Sequence, residues 1–326
     1  MKRREFLARL GGIAAFPLAA KAQQSAMPVV AGLAAPTEAS YTHHVAAIRQ
    51  GLKEAGFTEG QNVRLEFRWA DHHYDRLPAL AADLIARKVD VIITMGGGPP
   101  IRAAKAATSS IPIVFHLGAD PVQMGLVASL NRPGSNITGV TLMTSLLELK
   151  RLELLQKMVP ASKLIAALTN PANPSNELQV RQLREAARSY QLDLVILHAS
   201  NAGELESRFV SMAEQKVDAL TVLADVFFTS NSSRIAALSA RHRIPAIAHS
   251  REFAVAGGLM SYGTNLTDAY RLTGIYAGRI LKGEKPADLP VIEPTRFDFV
   301  INLKTAKSLG LSVPSILLAT ADEFVE

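Results

Sequence analysis

Lys88-Val89-Asp90-Val91-Ile92-Ile93-Thr94-Met95-Gly96-Gly97-Gly98-Pro99-Pro100 reads in one pass as the exit from a helix, a strand, a glycine turn and the start of the next helix. Apart from Asp90 and the terminal Thr94, the predicted strand Val89–Thr94 is apolar at consecutive rather than alternate positions, which suits a strand covered on both faces. The same pattern extends outward in both directions. Pro28–Leu33, Val63–Phe67 and Ile111–Phe115 are further strands, and helices are expected at His43–Gly56, Leu77–Arg87 and Pro100–Ala107. In the first of these helices Val45, Ile48 and Leu52 share a face and Gly56 supplies the stop. Buried strands alternating with helices predict an α/β architecture built on parallel sheets.

The stretch also recurs. Lys88-Val89-Asp90 returns as Lys216-Val217-Asp218, an offset of 128. Val30-Ala31-Gly32-Leu33 corresponds to Ile165-Ala166-Ala167-Leu168, Leu52-Lys53-Glu54-Ala55 to Leu183-Arg184-Glu185-Ala186, and Ile111-Pro112 to Ile244-Pro245. Four landmarks in the same order at nearly constant spacing predict two similar, doubly wound parallel-sheet lobes. Beyond Ile247 come a glycine-rich strand, Gly257–Gly263, a helix, Leu266–Leu281, a proline-punctuated connector, Pro286–Pro294, and a last strand, Phe297–Asn302. A tail of this kind can cross between lobes more than once and form a multi-crossing hinge. The expected division is 27–142 plus 256–284 for the first lobe and 143–255 plus 285–326 for the second.

The first 22 residues read as a cleavable signal peptide of the twin-arginine type. Lys2, Arg3 and Arg4 precede Phe6-Leu7, a weakly apolar stretch runs from Leu10 to Ala20, and Ala20-Lys21-Ala22 is a small-x-small site. A membrane-spanning helix needs about 20 apolar residues, and this run is shorter and contains Pro17. With no cysteine anywhere, there is neither a lipid-anchoring site nor a disulfide. The chain of 326 residues carries 35 Lys and Arg against 29 Asp and Glu, a net charge of +6. Cleavage near Ala22 removes five basic groups and one acidic group, leaving 30 and 28, so nothing chain-wide argues for a nucleic-acid partner. A soluble periplasmic protein, monomeric after passage through the Tat translocase, is the expectation.

Ligands of open α/β sheets bind beyond the carboxyl ends of the strands, which directs attention to the loops at those ends. Gly96, Gly97, Gly98 and Pro99 open a helix and offer backbone amides at its positive end, a candidate carboxylate site; an ordinary flexible turn explains the same residues equally well. Asp120 is a possible partner for a ligand ammonium, although an Asp-Pro turn capping a helix from Val122 accounts for it slightly better. Asn170, Asn173 and Asn176, set among Pro171 and Pro174, are candidates for polar contacts, with turn formation the competing account. Asp225 beside Phe227 and Phe228 suggests a carboxylate for an ammonium and an aromatic face for a side chain, one of the two phenylalanines being core. No metal site is expected, because the adjacent pairs His43-His44 and His72-His73 should point apart. No G-x-S-x-G or H-E-x-x-H motif supports catalysis and no cofactor motif is complete, since Ile101 replaces the third glycine of a dinucleotide fingerprint.

Several stretches carry a resemblance. They are Gln50–Gly56, Tyr74–Ala81, Asn131–Val140, Gly257–Gly263, Gly278–Gly283 and Ile301–Lys307. Together they resemble the ABC-transporter substrate-binding family that includes tryptophan- and tyrosine-binding lipoproteins, over essentially the whole mature chain. The resemblance implies a type I periplasmic binding fold, a small-molecule ligand held between the lobes, and an ABC permease as partner, with no catalysis. A sensory ligand-binding module or an exported α/β enzyme are the alternatives. Many relatives have a lipobox, and this chain has none.

Overall fold

A computed structural model describes residues 27–142, 147–173, 176–294 and 297–326. The expected signal segment Met1–Ala22 and Pro174 lie outside them.

The first lobe is built on a five-stranded, wholly parallel sheet. Its strands are β1 (Val29–Ala34), β2 (Arg64–Trp69), β3 (Val91–Met95), β4 (Ile113–Leu117) and β5 (Ile137–Thr141), in the order β2-β1-β3-β4-β5. The helices α1 (Glu38–Glu54), α2 (Leu77–Ala86) and α3 (Gly98–Ala107) connect the first four strands. In the second lobe β6 (Leu164–Thr169), β7 (Asp193–His198), β8 (Ala219–Val222), β9 (Ala246–Ala248) and β10 (Met260–Thr264) run in the order β7-β6-β8-β9-β10. This is the first sheet's topology repeated. Beyond β10 the sheet gains β11 (Phe297–Asn302), antiparallel to it, and β12 (Glu323–Val325).

The recurrent Lys-Val-Asp does the same job in both lobes. Lys88 and Lys216 each have a φ of 55°, turning the chain out of α2 and of α6 (Ala202–Glu214) respectively. The aspartate that follows fastens the start of the neighbouring strand. Asp90 Oδ2 accepts from the Val29 amide at 2.7 Å, and Asp218 Oδ2 accepts from the amides of Lys163 and Leu164 at 2.8 and 2.9 Å. In the same way the Pro112 carbonyl accepts from Ile92 and that of Pro245 from Leu220, at 2.9 and 2.8 Å.

The lobes exchange helices. After β5 the chain crosses and forms α4 (Glu148–Met158), which packs on α5 (Asn176–Ser189) of the second lobe. After β10 it crosses back and forms α10 (Leu266–Leu281), which lies along α1. The expected division is corrected at two places. Residues 256–264 do not join the first lobe, because β10 pairs with β9 and β11 in the second sheet. Residues 285–292 do not join the second: the Thr138 hydroxyl donates to the Leu289 carbonyl at 2.7 Å, and Ile292 bridges Val140 at the edge of the first sheet. The three crossings therefore lie between Leu142 and Leu147, at Asn265, and between Ile292 and Phe297. They are tied together where Thr264 Oγ1 donates to the Leu142 carbonyl at 3.2 Å and Asn265 Nδ2 to Asp298 at 2.8 Å.

Each sheet is covered on both sides. In the first lobe α2 and α3 enclose one core around Leu77, Leu84, Ile92 and Phe115, while α1 and α10 enclose another around Ile48, Leu52, Ile93 and Tyr270. The approach of α1 and α10 depends on glycine. A Cβ on Gly51 would stand 1.9 Å from the Arg271 carbonyl oxygen, and one on Gly274 would stand 2.2 Å from that of Ile48. Backbone atoms cannot swing aside, so Gly51→Ala should force the helices apart and cost about 1–3 kcal/mol despite alanine's better helix propensity. A urea midpoint equal to or above that of the parent would contradict this.

Candidate functional site

The carboxyl ends of the two sheets face one another across a gap of about 640 Å3, its open mouth included, within the size range of small-molecule sites. Tyr41, Tyr74, Gly96–Pro99 and His116–Gly118 line it from the first lobe. Asn173, Gln179, Ala224–Val226, Thr229 and His249 line it from the second, and Leu142 and Leu266 line it at the crossings.

The glycine turn is required by geometry. Gly96 and Gly97 have φ of 96° and 81°, where a β-carbon is strained, and a Cβ on Gly96 would come within 2.9 Å of Ala35 and Pro36. Helix α3 starts at Gly98 with no side-chain cap. The first four amides of a helix lack intrahelical acceptors, and here Pro99 and Pro100 have no N–H to present. The free donors therefore reduce to the Gly97 and Gly98 amides, at the positive end of the helix dipole. Two donors suit the two oxygens of a carboxylate.

Across the gap, Asp225 begins the short helix α7 (Val226–Ser230) and is buried. Its Oδ1 accepts from Asn170 Nδ2 at 3.0 Å and from the Phe227 amide at 2.8 Å, and its Oδ2 accepts from Asn173 Nδ2 at 2.9 Å. Burial pushes its carboxyl above the ordinary aspartate range, and these hydrogen bonds offset only part of the rise. Among the described residues no Lys or Arg forms an ion pair with it. The histidines supply no compensating charge. Burial lowers His116 to about 4 and His249 to about 3, leaving both rings neutral near pH 7. Among the described residues, Asp225 is the one acidic side chain on the lining, and no Lys or Arg joins it there.

Of the candidates read from the sequence, Gly96, Gly97, Gly98, Pro99, Asn173 and Asp225 meet at this gap. Four do not reach its lining. Asp120 Oδ1 accepts from the amides of Val122 and Gln123 at 2.8 and 3.2 Å, closing a turn, and no helix starts at Val122. Asn170 stands behind Asp225, with its Oδ1 taken by the Ala172 amide at 3.0 Å. Asn176 is the first residue of α5. Phe227 belongs to the second lobe's core and meets His72 edge-on at 6.0 Å. Sequence reasoning overlooked Leu142, Leu266 and Gln179. From α5 the Gln179 amide accepts from the Ala224 N–H at 3.0 Å and donates to its carbonyl at 3.1 Å, fixing the loop that carries Asp225. One polar residue on an amphipathic helix gives no sign of such a role in advance.

Contacts bridge the lobes at the mouth. Ser230 Oγ donates to Ser40 Oγ at 3.2 Å, and His43 Nε2 lies 3.4 Å from Glu252 Oε1 on α9 (Arg251–Val255). The expectation that His43 and His44 point apart is incorrect. Their ring centroids are 3.9 Å apart, because both turn toward the second lobe, and His44 Nε2 is 3.9 Å from the same Glu252 oxygen.

The profile of a family described as ABC transporter substrate binding protein matches residues 33–325. The chain belongs to that family. A tyrosine-binding protein of Clostridioides difficile (strain R20291) is 28% identical over 277 residues, 84% of this chain and 79% of the relative. The fold is that of type I periplasmic binding proteins. An ABC domain from Streptococcus pneumonia in complex with L-Trp superposes with a TM-score of 0.82 at 25% identity, covering 91% of this substrate-binding chain and 99% of the other. The ligand-free, open structure of a substrate binding protein with adhesive properties from Clostridium difficile gives 0.67 at 27% identity, covering 92% and 99%. This substrate-binding chain therefore superposes better on the L-Trp complex than on the ligand-free, open relative.

Proposed function

We propose that this substrate-binding protein is the soluble extracytoplasmic receptor of an ABC importer, and that it takes an aromatic L-amino acid as a zwitterion. The observation that carries the reading is the pairing of Asp225, buried without a cationic partner, with the bare N-terminus of α3 on the opposite wall. An α-ammonium would relieve the buried carboxylate, and an α-carboxylate would accept from the Gly97 and Gly98 amides. Tyr41, Tyr74, Leu142 and Leu266 leave apolar and aromatic surface for a ring. The tyrosine- and tryptophan-binding relatives support the same ligand class. Closure around the solute is the signal a permease would read. The Arg3-Arg4 leader supports export through the Tat translocase to the periplasm, where the mature chain acts as a monomer without catalysis.

The test compares L-tryptophan with two analogues, tryptamine, which lacks the carboxylate, and indole-3-propionate, which lacks the ammonium. A ligand at 100 times its Kd stabilises the native state by about 2.7 kcal/mol. L-tryptophan or L-tyrosine should therefore raise the melting temperature by several degrees, and both analogues should bind roughly 100-fold more weakly, as expected when a buried charge loses its partner. Equal binding of indole-3-propionate would remove Asp225 from the site. A response confined to sugars would end the amino-acid reading.

A further inference from the structure

The three side chains that meet across the mouth have a chemistry the solute pocket does not use. His43 and His44 come from α1 of the first lobe and Glu252 from α9 of the second, and none of the three lines the gap. One ligand atom from each lies within 4.8 Å of the others, the only such group of three among the described residues. The geometry points to a divalent transition-metal site, of the kind that takes zinc, which clamps the two lobes in the closed form.

Zinc accepts imidazole nitrogens at about 2.0–2.1 Å and carboxylate oxygens at about 2.0–2.2 Å in tetrahedral array, so its ligand atoms stand about 3.4 Å apart. The Glu252 Oε1 atom is 3.4 Å from His43 Nε2 and 3.9 Å from His44 Nε2. Both separations to the carboxylate are therefore within about half an ångström of that spacing, the two imidazole donors lie within 4.8 Å of each other, and the exposed side of His43 is left for a water as fourth ligand. A second, independent observation concerns unmet polar atoms. Both ring nitrogens of His44 and Oε2 of Glu252 are buried without a hydrogen-bond partner among the described residues, an arrangement that costs free energy unless something else satisfies them. Tyr41 and Tyr270, each 4.6 Å from the His44 ring, hold that imidazole in place. Two imidazoles and one carboxylate favour zinc, nickel or copper over magnesium or calcium.

Because the ligands come from both lobes, metal affinity and closure are linked: an ion that binds only the closed form draws the population toward it. The site is separate from the amino-acid reading and is testable without any solute. Titration of chelator-treated, tag-free mature protein with zinc sulfate in a calorimeter should show one ion per chain. The radius of gyration from X-ray scattering should fall as the ion binds, and magnesium sulfate should do neither. Glu252→Gln and His43→Ala, both at partly exposed positions and so expected to fold, should each weaken zinc at least about ten-fold and abolish the compaction. Absence of zinc binding, zinc binding undiminished in both variants, or binding without compaction would each overturn the proposal. The first result would leave His43 and Glu252 as a hydrogen-bonded latch only.

Discussion

Arg151→Leu should cost the protein about 3–5 kcal/mol, the range measured when one partner of a buried ion pair is removed. Arg151 and Glu148 lie one turn apart on α4 and are both fully buried. The guanidinium reaches both carboxylate oxygens and also donates to the Tyr262 carbonyl at 3.1 Å, joining the helix that follows the first crossing to strand β10. Burial drives the Glu148 carboxyl upward and Arg151 pulls it back, with burial the stronger. Without the arginine, Glu148 must either stay charged in apolar surroundings or take up a proton. The pH dependence has a definite sign. A carboxyl raised in the folded state contributes most below its unfolded pKa and loses that contribution as pH rises through its folded value. The deficit of Arg151→Leu in urea denaturation should therefore be larger at pH 7.5 than at pH 4.5. The double variant Glu148→Leu/Arg151→Met should recover most of the loss, since a well-packed apolar pair often replaces a buried ion pair without penalty. A single variant within about 1 kcal/mol of the parent at pH 7.5, against the expected range, would show that the pair is not what holds α4.

Asp225→Asn should separate binding from stability. The substitution keeps the shape at the start of α7 and an oxygen for the Asn170 and Phe227 donors, and gives up the bond from Asn173 Nδ2. It removes a carboxylate whose burial already disfavours its charge. The unliganded protein should therefore melt within a few degrees of the parent, about 1 kcal/mol either way. The affinity for L-tryptophan or L-tyrosine should fall by a factor of 100 or more, because an ammonium buried without its counter-ion costs about 2–5 kcal/mol. If affinity stays within about three-fold in calorimetry, short of that cost, the ammonium is held elsewhere. The result then selects a different wall of the pocket.

Most of the scaffold is legible in the chain, for a physical reason. Strands buried on both faces give uninterrupted apolar runs, and the Lys-Val-Asp repeat survives because each aspartate fastens the start of a central strand. Strand β5 is harder to read. Its Ile-Thr-Gly-Val-Thr sequence is accommodated in the core because Thr138 and Thr141 donate to the carbonyls of Leu289 and Ala119, partners 151 and 22 residues away. The wrong lobe for residues 256–264 has a similar origin. Gly263 allows β10 to approach the His249 carbonyl, where a Cβ would stand 2.0 Å away, and the sequence shows a glycine but not the surface it meets. In the pocket, residues at strand ends were visible as candidates, whereas Gln179 acts from a helix and the His43-His44-Glu252 meeting exists only once two lobes close. Pairings between lobes have no local signature.

The exchange of helices also governs how this molecule must be made. The polypeptide leaves the ribosome from its amino end, and the five strands of the first sheet are complete by Thr141. The helix that shelters Ile48, Leu52 and Ile93 begins only at Leu266, and the strap that seals β5 lies later still, at Leu289–Ile292. Throughout synthesis of the intervening residues a nearly finished half keeps one greasy side bare, the condition under which nascent chains aggregate or recruit chaperones. Neither half can be completed ahead of the other, because each waits for elements in the last fifth of the chain.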